Sequence, residues 1–226
     1  MSPSSSILFS TKTAALTNNK YSLVTLSSMN LNKMYATSGI ISAAIFMTLW
    51  IIAAIVAPNW HLGELSLSDL GVCGNNIAEI SFNMGCALAG LFGVMFGIYV
   101  LNTSGYLRVT GVAMILSSIA LTGVGVVNLN YGSMHAVVAL TYAGFGAVSM
   151  IFSIIGDIKE GRKQYAVITC LLILIIIIMQ FTQTFYVYEP IDVTCFCIWA
   201  GVQSFKYVNI EIEKERVALG IGPQSS

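Results

Sequence analysis

The chain alternates long apolar runs with short polar stretches. Six of the runs are long enough to cross a bilayer, whose apolar core takes roughly 20 residues of helix. Hydropathy places these runs near 36–57, 78–101, 107–128, 134–156, 165–187 and 190–208. The pattern therefore predicts an all-α, polytopic membrane protein built as a bundle of six transmembrane helices.

The two ends of the chain differ from this central part. Residues 1–33 are rich in Ser, Thr and Asn and contain no acidic residue, so we expect a disordered N-terminal extension. Residues 34–208 then form the six-helix transmembrane domain. Residues 209–226 carry charges at their start and Gly-Pro near their end, which indicates a short cytoplasmic tail.

Composition supports a membrane protein and argues against one class of partner. The chain is 56% hydrophobic and 9% charged, whereas about a quarter of the residues in soluble domains are charged. Ten basic residues balance ten acidic ones. A protein without a basic excess has no electrostatic footprint for nucleic acid, so we expect no nucleic acid partner.

The distribution of basic residues predicts how the chain crosses the membrane. Lys and Arg precede the first run, lie between the second and third runs and between the fourth and fifth, or lie at or after the end of the sixth. The connections 58–77, 129–133 and 188–189 contain none. Because basic residues remain on the cytoplasmic side, we predict a multi-pass protein of the cell membrane with both termini in the cytoplasm.

This orientation places a polar stretch, LSLSDLGVCGNNIAEISFN (65–83), at the outer face. Four polar side chains, one in this connection and three at the outer ends of the second, fourth and sixth spans, form a candidate outer-face polar cluster: Asp69, Asn83, His135 and Glu189. We expect Asp69 and Asn83 to lie within a hydrogen bond, or one bridging water, of each other. Either these two residues tie the loop to the helices, or all four line one pocket.

Acidic residues collect at the same face. Five of the ten acids lie near it, with no base to pair them: Glu64, Asp69, Glu79, Glu189 and Asp192.

The second run carries a different signal, because small residues recur at every fourth position: Gly85, Ala89, Gly93 and Gly97. Small residues at that spacing let helix backbones approach closely in lipid. We therefore expect the second span to pack in the centre of the bundle.

Several of these residues together carry a family resemblance. Their order along the chain resembles that of the prokaryotic six-span membrane proteins grouped as domain of unknown function 998. The matching pieces are Ser68-Asp69-Leu70-Gly71, Phe82-Asn83, His135, and Glu189 with Trp199. That family is similar, more distantly, to the Frag1, DRAM and Sfk1 group of eukaryotic six-span proteins. The resemblance to that group implies a link to lipid remodelling, membrane lipid asymmetry or autophagy.

Three function classes remain open. The chain binds lipid or a membrane partner through the outer cluster, or it is an enzyme acting on lipid head groups at the outer leaflet, or it is a transporter or channel subunit. In the enzyme, Asp69, His135 and Glu189 would be metal ligands or acid–base groups. The expected partners are membrane lipids, other membrane proteins or a second copy. The sequence specifies no cofactor and no metal.

Overall fold

The computed structural model describes the backbone of residues 4–221 and the side chains of residues 30–221. Within this part the chain forms helices and no β-strand. The six long helices are α1 (Ser4–Val56), α2 (Asn76–Leu101), α3 (Gly105–Val126), α4 (Ser133–Lys159), α5 (Lys163–Thr182) and α6 (Phe185–Ala218). Two short 3-10 helices, Leu67–Val72 and Leu129–Tyr131, lie in the connections after α1 and α3.

The predicted all-α polytopic bundle is confirmed. Five helices are long and apolar enough to cross a membrane: residues Asn30–Val56 of α1, and α2, α3, α4 and α5. The helix α6 lies outside that set of spans, so the count of six spans stays a prediction. The helix ends agree with the predicted runs to within about five residues, except at the N-terminal end of α1 and the C-terminal end of α6.

The helices form a closed ring in the order of the chain. Each helix packs against the next one, and α6 packs against α1. Successive helices are therefore antiparallel neighbours, which places the connections after α1, α3 and α5 at one end of the bundle. We call it the outer end, after the predicted orientation. A buried cluster that includes Phe46, Leu70 and Phe82 lies near this end. A second cluster, with Phe96, Trp199 and Tyr207, lies towards the other end.

The first and last helices, α1 and α6, extend beyond their predicted spans. The helix α6 continues through Ala218, ten residues beyond its predicted end, so residues 209–218 are helical. In α1, residues 30–33 are also helical, and Lys33 Nζ lies 3.3 Å from Glu215 Oε2. The backbone of residues 4–33 belongs to α1, whereas residues 1–3 and the side chains of residues 4–29 lie outside the described part of the chain. The predicted disordered extension of residues 1–33 stays a prediction.

Glycines bring α2 and α3 into backbone contact. A Cβ added at Gly90 would lie 2.5 Å from the carbonyl oxygen of Ser118 and 2.7 Å from the amide nitrogen of Thr122. A Cβ on Gly111 would collide with the backbone of Leu101. Such close approach is what small residues allow between helices in lipid.

The four small residues singled out in the sequence divide between two neighbours of α2. A Cβ on Gly85 would lie 3.0 Å from Leu49 Cβ of α1, and the carbonyl of Ala89 accepts a hydrogen bond from Ser42 of the same helix. Cβ atoms on Gly93 and Gly97 would instead meet Ser118 and Ile115 of α3. The helix α2 therefore lies between α1 and α3.

Candidate functional site

The 3-10 helix Leu67–Val72, which we call the outer segment, is stabilised by its own sequence. Ser66 is its N-cap, and the Ser66 backbone N–H and hydroxyl both donate to Asp69 Oδ2, over 2.7 and 2.6 Å. The Asp69 N–H donates in return to the Ser66 hydroxyl over 3.2 Å, which completes a capping box. The indole of Trp60 donates to the Ser66 carbonyl over 2.7 Å.

Two membrane helices hold the outer segment from different sides. Glu189, near the start of α6, accepts the backbone N–H of Leu67 at 2.8 Å. Asn83, two turns into α2, donates its side-chain amide to the carbonyl of Gly71 at 3.1 Å. The bonds join residues 122 and 12 positions apart in the chain and fix the segment over the outer ends of α6 and α2.

His135 approaches the outer segment from the start of α4. Its Nδ1 lies 2.7 Å from the carbonyl oxygen of Val127, and its Nε2 lies 3.1 Å from Ser68 Oγ. His135 is only 5% exposed. Gly132 precedes α4 with φ +54°, a conformation that favours glycine. That turn carries the chain from the end of α3 back over the bundle, so that His135 lies beside Val127.

The structure brings the four predicted residues to one segment, but not into one hydrogen-bonded group. Asp69 bonds back to Ser66 and Asn83 bonds to Gly71, and these two side chains share no hydrogen bond. Gly71 allows the outer segment to lie close to α2, because a Cβ on Gly71 would lie 2.6 Å from Asn83 Oδ1. Whether the cluster is a tether or a binding site stays a prediction.

A small cavity lies deeper in the bundle, away from the cluster. It has a volume of about 60 Å³, and the outer-face cluster contributes no lining residue to it. Hydroxyls and aromatic rings of five helices line it: Ser42, Phe46, Phe96, Ser117, Ser118, Tyr142, Ser149, Phe196 and Trp199. This volume is enough for a few water molecules. This cavity is therefore not the predicted pocket that all four residues of the outer-face cluster would line.

A buried ion pair that the sequence did not reveal joins α4 to α6. Lys206 Nζ lies 2.7 Å from Asp157 Oδ1, and the two side chains are 1% and 0% exposed. Gln203 completes the group, because its amide donates to Asp157 Oδ2 over 3.2 Å and its oxygen accepts from Lys206. The sequence shows only that Asp157 and Lys206 lie at the edges of apolar runs. Membrane proteins commonly place charged residues at such edges in water, so nothing in the sequence indicates that these two residues pair.

The comparisons with known proteins agree with the sequence motifs. The model of a family described as "Protein of unknown function (DUF998)" matches residues 40–202. The chain belongs to this family. No curated protein and no solved structure matches the chain. The matched stretch of this DUF998 protein contains the whole outer cluster together with Asp157, and Lys206 lies beyond it.

Membership supports an integral membrane protein, and it leaves the chemistry of this DUF998 chain open. The more distant similarity to the Frag1, DRAM and Sfk1 group stays a prediction. Within residues 30–221, no group of three or more His, Cys, Asp or Glu side chains is arranged to hold a metal ion. In this structure Asp69 and Glu189 instead accept protein N–H groups.

Proposed function

We propose that this integral membrane protein binds a lipid with an ammonium-bearing head group at the outer end of the bundle. The observation that carries the proposal is the carboxylate of Asp192, in the outer third of α6. Its Oδ2 accepts from Gln180 of α5 over 3.0 Å, whereas its Oδ1 is buried and has no hydrogen-bond partner among the described residues. A carboxylate at membrane depth is costly unless it is paired, so an ammonium group that approaches the half-buried Asp192 side chain from the lipid side would stabilise its charge.

The surroundings of Asp192 suit a lipid. The part of α5 from Ile173 to Thr182 contains no buried residue, so this apolar surface faces the bilayer. Phe181, Phe185 and Tyr186 are exposed near the α5–α6 connection, where aromatic side chains favour the membrane interface. An acyl chain has apolar protein surface beside a carboxylate of which one oxygen has no hydrogen-bond partner among the described residues.

Charge selects the head group. Glu189 lies three residues before Asp192, on the same side of α6. The chain has no Lys or Arg at positions 109–158 and 164–205. This face therefore offers anionic groups to a ligand and no cation that would attract a phosphate. An amine or quaternary ammonium complements it, whereas a purely anionic lipid does not.

Native mass spectrometry of the purified protein tests the proposal. We expect retention of phosphatidylethanolamine or phosphatidylcholine over phosphatidylglycerol. Asp192→Asn, which keeps the shape and removes the charge, should weaken retention about tenfold, equivalent to about 1.4 kcal/mol. Glu213→Gln removes the same charge at the other end of α6 and should match the wild type. Equal retention by Asp192→Asn, or a protein partner in place of lipid, would contradict the proposal.

The buried ion pair is relevant to an alternative function, transport. Intramembrane charges often mark ion pathways. Here Asp157, Lys206 and Gln203 bond one another and are at most 2% exposed. A group whose hydrogen bonds are used within the protein favours a structural role, in which the pair fixes α4 against α6.

A further inference from the structure

We propose that Ser68 is a nucleophile for carboxylic esters and that His135 is its general base. The proposal starts from the two bonds of the imidazole. The carbonyl of Val127 can only accept, so the proton of the neutral ring lies on Nδ1. The lone pair is then on Nε2, and the Ser68 hydroxyl, 3.1 Å away, donates to it. An activated serine requires this arrangement of nucleophile, base and a third group that orients the base.

The two serines of the outer segment have different roles. The Ser66 hydroxyl caps the segment through Asp69, so its hydrogen bonds are structural. The Ser68 hydroxyl bonds only His135 within the described part of the chain. Ser68 is also half-buried, whereas Ser66 is buried. Of the two, Ser68 is the residue that a reactant at the outer face can reach.

The segment that carries Ser68 is held without help from His135. Glu189 binds the N–H of Leu67, Asn83 binds the carbonyl of Gly71, and Trp60 binds the carbonyl of Ser66. These bonds act on backbone groups on both sides of Ser68. A loop fixed in this way places its nucleophile precisely against the base, which catalysis requires.

The chemical step conserves atoms and charge. Ser68 Oγ attacks the carbonyl carbon of an ester while its proton passes to His135 Nε2. The tetrahedral intermediate then expels the alcohol, which takes that proton, and an acyl ester remains on Ser68. Water attacks this ester with His135 again as base, and the carboxylic acid leaves. The bond between Nδ1 and the Val127 carbonyl holds the ring in place throughout.

The position at the outer end indicates a lipid ester as substrate. That identity rests on the proposed lipid binding, whereas the reactivity of Ser68 does not. A soluble probe therefore separates the two. We would treat the full-length protein with an alkyl fluorophosphonate, locate the adduct by peptide mass spectrometry, and follow turnover of p-nitrophenyl butyrate.

We expect the adduct on Ser68 of the wild type. His135→Asn keeps an amide that can bind the Val127 carbonyl but removes the basic nitrogen, so labelling and turnover should fall by about 10²–10⁴-fold. Ser133→Ala changes an exposed serine two residues from His135 and should react as the wild type does. A thermal melt of each variant establishes that it is folded.

An unlabelled Ser68 in the folded wild type would overturn the proposal, as would a His135→Asn variant that reacts at the wild-type rate. The first result uses the wild-type protein, and the second uses a variant that its thermal melt shows to be folded. Neither result can therefore be explained by unfolding. Labelling of Ser68 without retained lipid would leave the nucleophile established and refute lipid as its substrate. Retained lipid without labelling would leave lipid binding in place and refute the nucleophile.

Discussion

Single side chains decide what the two ends of the bundle can do. At the outer end, one histidine and one carboxylate reach a segment more than fifty residues away in sequence, and each bonds a specific atom of it. At the opposite end, Asp157 and Lys206 neutralise each other in a site from which water is excluded. A buried charge is tolerated only with such a partner, so the two ion-pair residues depend on each other.

Removal of one member of the buried pair should be strongly destabilising. Lys206→Met leaves Asp157 without its partner, and the free energy of unfolding should fall by about 3–5 kcal/mol. The double variant Asp157→Leu with Lys206→Met should recover most of this loss, because no uncompensated charge remains. Reversible unfolding in mixed micelles measures both.

A pair between α1 and α6 whose two side chains are both partly exposed is the control for Lys206. Lys33 Nζ lies 3.3 Å from Glu215 Oε2, and the two side chains are 39% and 33% exposed. Water screens both charges, so Lys33→Met should change the stability by about 1 kcal/mol or less. Equal losses for Lys206→Met and Lys33→Met would refute the assignment of a structural role to the buried pair.

At the scale of helices, close backbone contact distinguishes the α2–α3 interface. The glycines that matter most are Gly90, Gly111 and Gly125, each of which faces backbone atoms of the neighbouring helix. The regular series from Gly85 to Gly97 predicted small-residue packing for α2, but it did not include Gly90. Gly90 lies on the side of α2 nearest α3. A four-residue spacing within one helix does not show which side of that helix packs against which neighbour.

Two glycine-to-alanine variants test this interface. Gly90→Ala places a methyl group against the backbone of Ser118 and Thr122, neither of which can move without shifting α3. We expect a loss of about 1–3 kcal/mol in stability. Gly144→Ala in α4 meets no atom within 4 Å, and alanine favours helix by up to about 1 kcal/mol. Its melting temperature should be unchanged or raised; a drop equal to that of Gly90→Ala would contradict the packing.

For the whole molecule, the distribution of Lys and Arg predicts the orientation in the membrane. The connections 58–77 and 129–133 contain no Lys or Arg, whereas the connection after α4 contains Arg162 beside Lys163. An impermeant thiol reagent added outside intact cells should therefore modify Cys73 in a protein whose other cysteines are replaced. In a fully Cys-free background, Glu160→Cys should react only after the cells are opened. Labelling of position 160 from outside would reverse the orientation.

Much of this protein follows from the sequence alone. Long apolar runs specify membrane helices because a bilayer leaves the backbone no other way to satisfy its hydrogen bonds. The helices α2 to α5, and the C-terminal end of α1, were therefore predictable to within about five residues. The distribution of Lys and Arg predicted which face is the outer one. The motifs from Ser68 to Trp199 indicated the DUF998 family, which the match over residues 40–202 confirms.

The tertiary structure alone decided which side chains meet. In soluble proteins an apolar stripe shows which side of a helix faces the core, but lipid is as apolar as a protein interior, so the helices here carry no such stripe. Rotation and register between helices therefore had to come from packing. They decide that His135 faces Ser68 rather than Asp69, that Asn83 reaches Gly71, and that Lys206 finds Asp157 across the bundle.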